Sequence, residues 1–214
     1  MGSQSSAFGI RGALHSEVDM STLEAKIAHM PEDLLTMPDG KRFELVAGNL
    51  VERNMGARSS YVAGRTHVLL TEFCDSHRRG LAFPEGTSYQ CFPDDPGKVR
   101  RADVSFIAAG RLPKDEPPEG HILIAPDLAV EVVSPNDLVY EIDEKVEEFL
   151  AAGVRLVWVV NPATRTVRVH RPDRPGITLR AEDELTGDDV LPGFRCRVQE
   201  LVGSQATSRP APTS

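Results

Sequence analysis
A chain of 214 residues is long enough for one well-filled core and short for two, so a single domain is expected. Its 40% hydrophobic and 26% charged side chains are those of a soluble globular protein and exclude a fibrous or wholly disordered body. The formal charge of −8, from 24 basic and 32 acidic residues, argues against indiscriminate polyanion binding, which needs phosphate-neutralising Lys and Arg, but leaves room for a local basic surface.

Three short basic stretches exist, at His77, Arg78 and Arg79, at Lys98, Arg100 and Arg101, and along Arg165, Arg168 and Arg171. Each reads as solvated surface charge. Cys74, Cys91 and Cys196 are an odd number without C-x-x-C spacing, a pattern that fits neither a zinc cluster nor a secreted disulfide framework. The first twenty residues lack the apolar core of a signal peptide, and no stretch approaches the ~18 apolar residues needed to cross a bilayer. A cytoplasmic protein without a membrane partner is the expectation.

In chain order, residues 1–20 begin with a Gly/Ser-rich run and residues 203–214 are polar with two prolines. Neither can bury enough apolar surface to order itself, so a flexible N-terminal segment and a disordered C-terminal tail are expected to flank a domain over 21–202. Residues 42–52 predict two strands around a turn at Ala47, Gly48 and Asn49, a pair expected to open the sheet. From about Tyr61 to His77, Val62, Leu69, Leu70 and Phe73 recur at helical spacing, with Gly80 placed to stop the helix.

Residues 102–108 predict a strand in which Val104 and Phe106 alternate with Asp103 and Ser105. A loop with three prolines covers 110–120. It leads through Ile122–Ile124 into 126–133, a nearly continuous apolar run expected of a central strand covered on both faces. Ser134-Pro135-Asn136-Asp137 carries the residues of a helix start, and the helix is expected to run to about Ala152 before Gly153. Residues 154–160 predict another buried strand, and 161–165 a turn into a strand carrying Val167 and Val169. The fold class is therefore α/β (α+β), a mixed β-sheet flanked by helices.

Glu131 is the most informative residue. A carboxylate flanked by Val130, Val132 and Val133 in a central strand costs several kcal/mol unless a metal or cation compensates it. Strand periodicity puts it on one face with Asp127, Ala129 and Val133. Asp103, at the start of a strand that could pair alongside, would add a second hard oxygen donor suited to Mg²⁺. At ~100° per residue, Ile142, Val146, Phe149 and Leu150 form the buried stripe of the following helix, with Lys145 on its edge and Glu141, Glu144, Glu147 and Glu148 outside. A lysine there could orient water or stabilise charge on a phosphoryl group.

Plainer readings stand beside these. Lys145 could pair with Glu141 or Glu148 at helical spacing, Glu131 could be satisfied by arginine or backbone donors, and Asp103 could be a turn residue. His67 and His170 are the histidines of a type suited to general-base work, but no paired His spacing supports either.

Residues 43–52 (FELVAGNLVE), 102–106 (ADVSF), 126–135 (PDLAVEVVSP) and 144–154 (EKVEEFLAAGV) resemble bacterial restriction endonucleases of the Uma-two type, within the PD-(D/E)XK nuclease superfamily. The similarity runs from about Leu34 to Val202. It implies a restriction-endonuclease-like core that hydrolyses DNA phosphodiesters with Mg²⁺, or with Mn²⁺, which accepts similar ligands. Asp103 and Glu131 would be the metal carboxylates, with the Val132 carbonyl as a further ligand, and Lys145 would position the attacking water.

The superfamily's usual lysine position is Val133 here, so the resemblance places the lysine on the following helix, where the helical wheel also puts Lys145. Glu44 matches an acidic hairpin position that would orient metal-associated water, and Ala102 replaces the usual proline. Cutting both strands favours a homodimer. Two other readings are a catalytically silent nuclease-fold module that binds nucleic acid or protein, and a phosphohydrolase of small nucleotides.

Overall fold
The structure, a computed structural model, describes residues 28–53 and 55–203; the expectations for residues 1–20 and for the tail beyond Gly203 lie outside them. Ten strands and four α-helices are present among the described residues. A short helix α1 (Asp33–Thr36) precedes the hairpin β1 (Phe43–Val46) and β2 (Asn49–Glu52), whose turn residues Ala47 and Gly48 take φ of 47° and 73°. This left-handed turn matches the right-handed twist of its strands. The hairpin does not open the main sheet as expected. It forms its own two-stranded sheet, tied on by the pairing of Leu45 with Val99.

The main sheet has the order β3-β4-β5-β6-β7-β8. Its members are β3 (Gly80–Phe83), β4 (Val104–Ala108), β5 (Leu128–Val132), β6 (Leu156–Asn161), β7 (Thr166–Arg171) and β8 (Arg174–Arg180). All neighbours are antiparallel except β5 and β6. A parallel pair needs a crossover, and helix α3 (Val139–Ala151) supplies it. Helix α2 (Ala57–His77), the small pair β9 (Glu184–Thr186) and β10 (Arg195–Arg197), and helix α4 (Val198–Val202) cover the opposite face.

Period-2 alternation in β5 divides the core between these faces. Leu128, Val130 and Val132 join Val62, Leu70 and Leu201 on the α2 side, and Ala129 packs with Val146, Phe149, Val157 and Val159 under α3. Strand β4 departs from the expected in-and-out alternation, because Val104, Ser105, Phe106 and Ile107 are all buried. Ser105 is satisfied by the Tyr89 hydroxyl at 2.6 Å.

Two helix boundaries also differ from expectation. Helix α2 starts four residues earlier, at Ala57, and ends where Arg78 turns left-handed (φ 51°) rather than at Gly80. Gly80 instead opens β3 at φ 132°, where a Cβ would lie 2.1 Å from the Ile107 carbonyl oxygen. Residues 134–137 do not start α3. The Ser134 amide donates to the Asp137 carboxylate (2.7 Å) and the Asp137 amide to the Ser134 carbonyl (3.1 Å), closing a turn, so the capping residues are consumed before the helix begins at Val139.

Helix α3 is seated by Phe149, which is fully buried against Phe92 and lies one turn beyond Lys145. Phe149→Ala is expected to cost about 3–5 kcal/mol through lost burial and the cavity left behind. Urea unfolding measures it, and a loss under about 1 kcal/mol would mean that α3 is held mainly by its charges.

Candidate active site
The candidate residues converge because four chain segments meet at one end of β4 and β5. Antiparallel pairing of Val104 with Val130 sets Asp103, just before β4, beside the end of β5. Asp103 Oδ2 accepts the Val132 amide at 2.6 Å, and its Oδ1 is held by the Arg53 guanidinium. Glu131, 8% exposed, projects from β5 toward α3. Behind the strand end, the Ser134 hydroxyl donates to Ser59 of α2 (2.9 Å), which donates to the Val133 carbonyl (3.1 Å), so the backbone carrying Glu131 and Val132 is pinned.

Lys145 crosses from α3 into the centre of this group. Its Nζ donates to Glu131 Oε2 at 2.9 Å and to the Arg101 carbonyl at 2.7 Å, and lies 2.9 Å from Glu44 Oε1. Three acceptors for three N–H bonds leave the ammonium fully satisfied. The pairing of Lys145 with Glu141 or Glu148 is not found. Glu148 is instead taken by Lys98 (2.5 Å) and Arg100 (2.6 Å).

Glu44 joins from β1, 2% exposed, accepting from the Arg101 amide (2.8 Å) and from Arg100 (3.0 Å). Both its oxygens are thereby held by protein donors. Asp103, Glu131, Lys145, Glu44 and Val132, all singled out from the sequence, line one cleft of about 250 Å³. Asp127, just before β5, is engaged by Arg111 and Arg155 and does not line it. Neither His67 nor His170 lines it either.

Sequence reasoning missed Arg53 and misread Arg100 and Arg101. Arg100 and Arg101 are 7% and 2% exposed, so this basic stretch is not solvated surface. Arg101 donates to the carbonyls of Phe43, Gly86 and Gly40. Arg53 follows β2, and besides Asp103 it lies 3.7 Å from Glu44 and 3.9 Å from Glu85. The only signal that could have flagged it is indirect, since two buried carboxylates demand nearby cations.

Burial opposes the charge on every member, and the partners decide the outcome. For Glu44 burial is outweighed by Lys145, Arg100 and Arg53, which hold its carboxyl at about 2. For Lys145 burial is outweighed by Glu131 and Glu44, and its pKa is raised. Burial raises Asp103 against the pull of Arg53 and Lys145. Burial pushes Glu131 up to about 8; Lys145 opposes the rise while Asp103 and Glu44 add to it. Asp103 and Glu131 are the two carboxylates of the cluster whose pKa stays raised.

Glu131 Oε1 is buried and has no hydrogen-bond partner. A hard cation is the group such an oxygen fits, with Asp103 and Glu131 as donors. Among the described residues no group of three or more His, Cys, Asp or Glu side chains is placed to hold a metal ion.

The family model Uma2, described as "Putative restriction endonuclease", matches residues 31–199. The chain belongs to the Uma2 family. Its fold is also that of a crystal structure described as "a putative nuclease belonging to DUF820" from Anabaena variabilis, with a TM-score of 0.68 and 19% identity over 81% of this chain and 97% of that one. No curated protein matches the chain. The mixed sheet with flanking helices expected from the sequence is thus the fold of this Uma2 member. Among its described residues no helix is long and apolar enough to cross a membrane, and its three cysteines are free thiols.

Glu44 gives this Uma2 member a defined acid sensitivity. Its folded pKa lies below the ordinary 4.5, so its stabilising contribution is complete above pH 4.5 and is lost as pH falls toward 2. A displacement of this size corresponds to roughly 3 kcal/mol. Urea unfolding at a series of pH values should show that fall in the wild type and not in Glu44→Gln. Superimposable acid limbs would remove the assignment.

Proposed function
We propose that the chain is a divalent-metal-dependent endonuclease that hydrolyses DNA phosphodiesters, with Mg²⁺ or Mn²⁺ as its ion. The observation that carries this reading is the unpartnered Oε1 of Glu131, in a cleft where Asp103 and Lys145 converge on the same carboxylate neighbourhood. Asp103 and Glu131 would hold the ion, with the Val132 carbonyl as a further oxygen donor. The ion supplies Lewis acidity toward the phosphate and makes water acidic enough to attack near neutral pH.

The chain's own residues do the rest. Glu44 and the Arg101 carbonyl fix two of the three Lys145 N–H bonds, so the third, given to Glu131 here, is the one available to an attacking water or to charge developing on the phosphate. Glu44 therefore acts as a positioning residue for the lysine rather than as an orienter of water. Four further carboxylates line the cleft, Glu52, Asp137, Glu141 and Glu144, and make it hostile to a bare phosphodiester. The ion accordingly serves substrate binding as well as chemistry. Two copies related by a two-fold axis would cut both strands.

Nicking of supercoiled plasmid by the purified protein tests the reading. Cleavage with Mg²⁺ or Mn²⁺, abolished by chelation and reduced at least about 100-fold in Glu131→Ala and in Lys145→Ala, is expected. Undiminished cleavage by Glu131→Ala would reject it, as would salt-dependent DNA binding without turnover. Product released from mononucleotides alone would replace DNA by a small nucleotide.

A further inference from the structure
Of the two oxygens of Asp103, Oδ2 is committed to the Val132 amide at 2.6 Å, in a bond that fixes β4 to β5. Oδ1 makes no bond to the backbone and is the freer oxygen for a cation, and Arg53 already holds it. A guanidinium and a divalent ion on one carboxylate oxygen repel strongly at such separations, the more so in a buried cleft. Arg53 has acceptors other than Asp103 within reach, Glu44 at 3.7 Å among them. It lies just past the last residue of β2, and a further acceptor, the half-exposed Glu85, is 3.9 Å from its Nη1.

We propose that Arg53 is a displaceable counter-cation: it holds the metal-free site together by neutralising Asp103, and hands that oxygen to a divalent ion by turning toward Glu85. The inference rests on the metal-dependent reading above and adds a residue that competes with the ion. Two cations then share one carboxylate in alternation, and the β1–β2 hairpin, which carries both Glu44 and Arg53 to the site, is the element whose position reports which one is bound.

Mn²⁺ titration of the purified protein without DNA, read by electron paramagnetic resonance of the free ion and by thermal unfolding, tests the exchange in the wild type and in Arg53→Gln, Glu85→Gln and Glu131→Gln. Arg53→Gln should bind Mn²⁺ at least about tenfold more tightly, the effect of removing a competing ion pair. Its melting temperature should fall in chelator and recover with Mn²⁺ by more than the wild type gains. Glu85→Gln should weaken Mn²⁺ binding, because displaced Arg53 loses its acceptor. Mn²⁺ binding that Glu131→Gln abolishes but Arg53→Gln leaves unchanged or weakens would overturn the proposal while sparing the metal reading. Should Arg53→Gln fail to fold, unchanged Mn²⁺ affinity in Glu85→Gln overturns it. Absence of Mn²⁺ binding in the wild type and every variant would remove the metal reading, and the proposal with it.

Discussion
Lys145 Nζ, set among Glu131, Glu44 and the Arg101 carbonyl, joins four segments that share no local sequence: the hairpin, the approach to β4, the end of β5, and α3. Three buried carboxylates and the cations Arg53, Arg100 and Lys145 balance there in formal charge. Such a cluster is a weak source of net stability, because each ion loses its hydration and well-packed apolar side chains would do as well. Deleting a single member is costly all the same, since the partner left behind is a buried charge without compensation. On the endonuclease reading stability and chemistry therefore reside in the same atoms, and a loss of activity in a variant of this cluster has meaning only beside a measurement of folding.

The topology explains how a lysine absent from the strand still reaches the site. Val133 stands where the resemblance seen in the sequence implies a lysine, at a strand end that is pinned through Ser59 and Ser134. The parallel pairing of β5 with β6 forces a crossover, and the crossover helix must lie on the face to which Glu131 points. A lysine on the buried edge of that helix then places its ammonium 2.9 Å from Glu131. On the endonuclease reading the chemistry requires an ammonium at a point in space, and a helix passing over the strand supplies it as well as the strand could.

Features set by one strand or one helix were legible, and those set by long-range partners were not. An acidic residue inside Val130–Val133 declares its own cost, and the helical wheel placed Lys145 correctly with no knowledge of its target. Arg100 and Arg101 sit in a stretch that looks locally like surface charge, and only distant partners let their guanidinium groups be buried, Glu44 56 residues from Arg100, and the Phe43, Gly86 and Gly40 carbonyls for Arg101. Arg53 is 50 residues from Asp103. The hairpin was readable from Gly48 and Asn49, but which sheet it joins depends on the contact of Leu45 with Val99, which no local pattern encodes. Ser134 to Asp137 misled because the same hydrogen bonds that cap a helix also close a turn. Beyond Arg171, β9, β10 and α4 have only three to five residues each, and β8 is largely exposed, so neither a helical nor a strand period can emerge.

The acidic net charge takes on a specific sense at the cleft. Its cations are matched by its own carboxylates, Lys145 by Glu44 and Glu131, Arg100 by Glu44 and Glu148, Arg53 by Asp103, so the metal-free cleft has no uncommitted positive charge for a phosphodiester. On the endonuclease reading, a divalent ion changes this twice over. It adds positive charge directly, and by occupying Asp103 it releases a guanidinium at the rim of the cleft, where a phosphate would lie. Substrate affinity and catalytic competence would then arise from one binding event, which ties cutting to metal more tightly than two carboxylate ligands alone would require.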